Sequence, residues 1–300
     1  MSFQIHQKID PSSQLTIVEV FNDVSYAKIV LDQGASLQEL QLNSTDIIKN
    51  LEPLSYQETY ASSILFPFTN RIKDGIYTFN DEQFQLNCNV KEENNALHGL
   101  VYNQKFKVVN QEATKEKAIL KLQYIETTKK QGFPYTYTLE LVYVFTNHQV
   151  SLELNVINNS STSFPFTIGW HPYFYSESLD KSTLNFFSNK RVLFDDRMIA
   201  SEVISEKNEG IIEIKDQLFD DCFYLDTNKV VFTTPNYQLE LSSEAVTNFL
   251  QIYTPSKKQT IAIEPLTGIS NSFNNKIGLQ VLKPNENYTN TWQLKVNTNP

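Results

Sequence analysis

The sequence predicts an all-β protein, a large antiparallel β-sandwich. Three observations carry that expectation. Apolar residues alternate with polar ones at a period of two along most of the chain, the alternating stretches are short, and Asn, Asp, Gly and Pro break them up as turns. The 300 residues hold no Gly/Pro/Ser-rich linker and no repeat of fixed length, so residues 1–300 read as a single domain.

Each element has its own signal. IVLDQGASLQELQL (29–42) adds short strands, and GIYTFNDEQFQLN (75–87) gives a hairpin turning at Asn80–Asp81. AILKLQYIE (118–126) is a further strand. YTLELVYVF (137–145) places Tyr137, Leu139, Leu141, Tyr143 and Phe145 on one face, and VSLELNV (150–156) does the same with Val150, Leu152, Leu154 and Val156. TNHQ links these two as a hairpin whose tip carries His148. VVFTTPNYQLELSS (230–243), FLQIYTP (249–255), TIAIEP (260–265) and TWQLKVN (291–297) add short strands. Helical signal is confined to single turns at SLDKST (178–183) and SEVISEK (201–207). Pleated aromatic strands of this kind suit a concave face that holds a ligand.

Composition narrows the function. The chain is 40% hydrophobic, 12% aromatic and 20% charged, which excludes disorder. A net charge of −9 argues against nucleic acid and anionic membranes and favours a neutral small molecule. The arginines are Arg71, Arg191 and Arg197, too scattered for a fork-type phosphate clamp. Cys88 and Cys222 make no disulfide framework, and the start of the chain lacks a signal-peptide core. A cytoplasmic protein, monomer or weak dimer, is expected.

Five segments set polar or titratable residues in apolar surroundings: FPFTNRI (66–72), NALHGL (95–100), FTIGWHPYF (166–174), LFDDCFYL (218–225) and IAIEPLTG (261–268). They contribute Asn70, Arg71, His98, His171, Asp220, Asp221 and Glu264. Taken singly, each has a plain structural use: an Arg stem covering surface, a hydrogen-bonded core imidazole, a turn carboxylate, and a Glu before Pro265 where a strand stops. Taken together they fit a sugar site. Aromatic faces would come from Phe66, Phe68, Trp170, Tyr173 and Phe174, donors from Arg71 and Asn70, an acceptor from Asp220, and an acid–base pair from a histidine and a carboxylate. That pair is expected to face each other across a pocket as wide as a pyranose. The candidates lack short metal-ligand spacing and a nucleophile elbow, so neither a metal nor a nucleophilic triad is expected. Cys222 reads as a small packing residue.

In these motifs the chain resembles the aldose 1-epimerases, or galactose mutarotases. FPFTNRIKDGIYTFNDEQFQLNCNVKEENNALHGL, QGFPYTYTLELVYVF, NVINNSSTSFPFTIGWHPYF and AIEPLTG carry the likeness, in order, through most of the chain. The resemblance implies the galactose mutarotase-like supersandwich, with a monosaccharide in a cleft on one sheet and no cofactor. It also implies interconversion of the α and β anomers of a free hexose. It gives Glu264 the role of general base and His171 that of general acid, with His98 near the ring oxygen. Arg71 and Asp220 become hydroxyl contacts, with Asp221 the alternative to Asp220. Departures lie beside these positions: Asp221 and Cys222 replace the usual His and Asn, Leu100 replaces a Gly, and LTGISNSFNN follows Pro265. Two rivals are a hexose-6-phosphate 1-epimerase, which would want a basic cluster, and a noncatalytic carbohydrate-binding module, which would not need both His171 and Glu264.

Overall fold

Alternation becomes pairing in the computed structural model, which describes residues 1–257 and 259–298. Tyr137–Phe145 runs antiparallel to Gln149–Asn158 with Tyr143 opposite Leu152, and the apolar sets of both strands are buried. Exposed His148 sits at the turn that joins them. Asn287–Thr298 extends this pair on the other side of Gln149–Asn158. The sheet continues through Tyr237–Ser243, Lys229–Thr233, Thr183–Phe194, Asp220–Leu225, Phe249–Tyr253 and Thr260–Leu266, part of fifteen strands among the described residues. A five-stranded sheet from Gln4–Ile9 to Thr45–Ile48 lies before it in sequence. One apolar core draws on residues from Phe3 to Val296.

Local chemistry explains the joints. Asn80 and Asp81 take left-handed φ values of 49° and 62°, as a two-residue hairpin turn between Ile76–Phe79 and Glu82–Gln85 requires. SLDKST forms a single 3₁₀ turn, Leu179–Lys181. SEVISEK does not form a helix. It lies inside the strand Ala200–Glu213, where β-branched Val203 and Ile204 pair with Val192 and Arg191 of Thr183–Phe194. A long antiparallel ladder outweighs one isolated helical turn there.

The aromatic residues divide between core and site. Phe66 is wholly buried, its ring 4.8 Å from that of Tyr137 and close to Phe133, Phe164 and Phe166. Phe68 packs on Phe273. Trp170 is wholly buried against Trp292 and donates its indole N–H to the Ser62 carbonyl at 3.2 Å. Phe174 is buried beside Phe232. Phe66, Phe68, Trp170 and Phe174 therefore build the core and present no face to a ligand, contrary to the sequence expectation. Local apolar context marks an aromatic residue for burial but does not say whether it meets a cavity or a neighbouring strand.

Candidate active site

Three adjacent strands supply one wall of the site. Asp220–Leu225, Phe249–Tyr253 and Thr260–Leu266 pair in that order, with Gln251 opposite Glu264 and Asp220 opposite Tyr253. Glu264 is 2% exposed in the middle of a strand buried at every position. The strand does not stop at Pro265 but carries on to Leu266, so the missing N–H falls one residue from its end. Tyr173–Tyr175 pairs with the same strand from its other side, placing Tyr173 opposite Ala262.

A second wall comes from the FPFTNRI and NALHGL segments. His98 has a left-handed φ of 61° and donates its N–H to the Asn70 carbonyl at 2.9 Å. Gly99 follows at φ 76°, and a Cβ there would lie 2.2 Å from the Phe66 carbonyl oxygen, so only glycine fits. This close approach bridges the two segments and aims His98 into the site. Arg71 is held by Glu93 through two bonds, Nε to Oε2 at 2.5 Å and Nη2 to Oε1 at 2.9 Å, and its Nη1 reaches Asn70 Oδ1 at 3.3 Å.

These walls enclose a pocket of about 200 Å³ lined by Tyr60, Asn70, Arg71, Leu97, His98, His171, Tyr173, Asp220, Gln251, Tyr253 and Glu264. It is smaller than the ~300–1,000 Å³ sites of drug-sized ligands and suits a small, polar molecule. His171 Nε2 lies 3.3 Å from Glu264 Oε1. These two side chains thus touch rather than face each other across a pyranose-wide gap. Sheet pairing explains the difference: Tyr173–Tyr175 runs against Thr260–Leu266 and Ile263 donates its N–H to the Pro172 carbonyl at 3.3 Å, which brings the preceding residue, His171, against Glu264. The His171 ring stacks on Tyr173 and meets His98 edge-on, with 5.0 Å between centroids in each case. Tyr60 packs edge-on against His98 at 4.8 Å. Gln251 Oε1, His98 Nδ1 and His171 Nδ1 are buried without a hydrogen-bond partner in the protein, unusual for buried polar atoms.

Electrostatics follow from burial. Burial raises Glu264 well above the usual carboxylate range; the Asp220 charge adds to this, and Arg71 pulls partly back. Burial lowers His171 to about 4. Burial, His171 and Arg71 hold His98 well below the ordinary imidazole value. Asp220 is raised to about 6, mainly by burial, with Arg71 opposing. Desolvation therefore prevails over ion-pair attraction, and the free site favours a protonated Glu264 beside a neutral His171.

Alternation sends the two aspartates to opposite faces. Asp220 points into the pocket and accepts from Gln251 Nε2 at 2.8 Å, whereas Asp221 pairs with Arg191. Cys222 is buried among Val192, Phe249 and Leu266, its thiol pushed up by burial, as befits a packing residue. Sequence reasoning missed Tyr60, Glu93, Gln251 and Tyr253. Gln251 had a signal, as the lone polar side chain in FLQIY; Glu93, within KEENN, looked like any solvated charge. Among the described residues no group of three His, Cys, Asp or Glu is arranged to hold a metal ion, and no helix is long and apolar enough to cross a membrane.

A strand-built pocket with a buried imidazole touching a buried carboxylate defines a class before it defines a reaction. The aldose 1-epimerase family matches residues 18–295, and the chain belongs to that family. Its fold is that of the galactose mutarotase-like proteins. A galactose mutarotase-like protein from Clostridium acetobutylicum superimposes with a TM-score of 0.86 at 20% identity over 99% of both chains. The galactose 1-epimerase from Lactobacillus acidophilus NCFM gives 0.80 at 16% identity, over 99% of this chain and 98% of that one. The uncharacterized protein YihR of Escherichia coli K12 is 24% identical over 272 residues, 86% of each chain.

Proposed function

We propose that the protein interconverts the α and β anomers of a free hexose by acid–base opening and reclosure of the ring. The contact of 3.3 Å between His171 Nε2 and Glu264 Oε1 at the pocket wall carries this reading. The pair holds one exchangeable proton. In the bound complex it sits on His171. The Glu264 carboxylate takes the anomeric O–H proton, the C1–ring-oxygen bond breaks as the C1 carbonyl forms, and His171 donates to the departing ring oxygen. The products are protonated Glu264 and neutral His171, the forms that burial favours. Rotation about C1–C2 presents the other carbonyl face, and both transfers run backwards to close the ring. Reclosure leaves His171 protonated and Glu264 ionised again, the state that opened the ring.

Arg71, Asn70, Asp220 and Gln251 serve as hydroxyl contacts, Tyr173, Tyr60 and Tyr253 as apolar walls, and neutral His98 as a further partner for the ring oxygen. Arg71 has its charge matched by Glu93, which disfavours a phosphorylated substrate. Both cysteines are free, which suits a reducing cytoplasm. Anomer-exchange NMR on free and phosphorylated hexoses tests the reading. Accelerated exchange of a free hexose is expected. Binding without exchange would make the protein a carbohydrate-binding module instead.

A further inference from the structure

A second cavity of about 280 Å³ adjoins the first, and the two share Thr59 and Tyr173 as lining residues. Resting on the catalytic reading above, we propose that this cavity is a subsite for an uncharged polar substituent on C6 of the hexose, such as the second sugar of a 6-linked disaccharide.

Position is the first argument. The ring oxygen that His171 serves is bonded to C1 and C5, and C1 is turned toward Glu264. The C5 end then points along His171 away from Glu264, where the imidazole has two ring neighbours, His98 and Tyr173. Behind His98 the space is filled by Tyr60, itself packed on Tyr102. Past Tyr173 lies the second cavity. A group on C6, the exocyclic carbon attached to C5, can extend past Tyr173 into that cavity. The cavity wall is also tied to the imidazole's backbone: Ser62 donates its N–H to the His171 carbonyl at 2.8 Å. Ser62 sits at a left-handed φ of 55°, and its buried hydroxyl has no partner in the protein.

Charge is the second argument. Among the described residues the cations lining the cavity are Lys28 and Lys49. Lys28 Nζ is 3.0 Å from Asp10 and 3.4 Å from Glu39; Lys49 Nζ is 3.0 Å from Asp46 and lies over the Tyr175 ring. Neither offers an unmatched charge to a phosphate or sulfonate. Ser62, Gln33 and Gln38, also in the wall, offer the mixed donors and acceptors that hydroxyls need.

The test compares anomer exchange of glucose, isomaltose (6-linked), maltose (4-linked) and glucose 6-phosphate, with calorimetric binding of each. Isomaltose should show a kcat/KM about tenfold above glucose and maltose, the worth of one or two net hydrogen bonds. Ser13→Trp, on the exposed turn lining the cavity, should remove that gain while glucose exchange stays within about twofold, and Leu54→Trp repeats the test from another part of the lining. Isomaltose no better than glucose, glucose 6-phosphate preferred, or a gain untouched by both Trp variants would each overturn the subsite. If no sugar is exchanged yet isomaltose binds more tightly than glucose, and only without Ser13→Trp, the subsite stands and the catalytic reading falls. If glucose is exchanged but isomaltose is not, the reverse holds.

Discussion

Asp220→Asn should make the protein more stable near neutrality while weakening its grip on sugar. Burial raises the Asp220 carboxyl from 3.8 to about 6. A raised carboxyl means that the unfolded chain loses its proton first. Stability from this group is therefore fully present below pH 3.8, falls as pH rises toward about 6, and stays lost above that. At ~1.4 kcal/mol per pH unit, ionised Asp220 costs at most about 3 kcal/mol at pH 7. Asp220 as a whole residue is exposed to water at the head of its strand and solvent screens its charge, so about 1–2 kcal/mol is the better figure. Asn removes the charge and keeps an oxygen to accept from Gln251 Nε2. Thermal unfolding at pH 7.5 should show a rise of about 1.5–3 °C, and at pH 3.5 the two proteins should match. A gain equal at both pH values, or none at pH 7.5, would refute strain from burial as the source of the shift. Exchange kinetics on the same variant should show a raised KM, since an uncharged amide is a weaker acceptor for a sugar hydroxyl.

Further expectations follow from the same geometry. Exchange should require the one-proton state of the Glu264–His171 pair, so the rate should fall below about pH 4, where His171 takes up a second proton, and again above the raised carboxyl of Glu264. An acid limb at the ordinary imidazole position near 6.5 would contradict this. Glu93→Gln breaks the paired clamp on Arg71 and should raise KM about tenfold, with a smaller effect on kcat, in steady-state polarimetry. Asp221→Asn should leave exchange within about twofold, because that carboxylate turns away from the pocket to Arg191; a large loss would place the wrong aspartate in the site.

Much of the fold was legible because a strand's period of two declares which face is buried. The hairpins at TNHQ and Asn80–Asp81 needed nothing beyond local sequence. SEVISEK was misread because short polar segments carry little periodic signal, and a partner nine or more residues away decided its state. Glu264, His171, His98, Arg71, Asn70, Asp220 and Tyr173 come together in one pocket, as polar residues framed by apolar ones suggested. Phe66 and Trp170 do not, because the same frame surrounds any core aromatic. The side-by-side stance of the pair is a product of register: Thr260–Leu266 and the chain around His171 are far apart in sequence and meet only through sheet pairing. The balance between desolvation and attraction in that pair depends on burial, which composition does not reveal.

Glu264→Gln, followed by anomer-exchange NMR beside calorimetric sugar binding, reaches the heart of the matter. Gln keeps the shape but accepts no proton from the anomeric hydroxyl, so exchange should fall by about 10²–10⁴-fold while a hexose still binds. Exchange within about threefold of the unmodified protein, with binding intact, would mean that the carboxylate touching His171 is not the base.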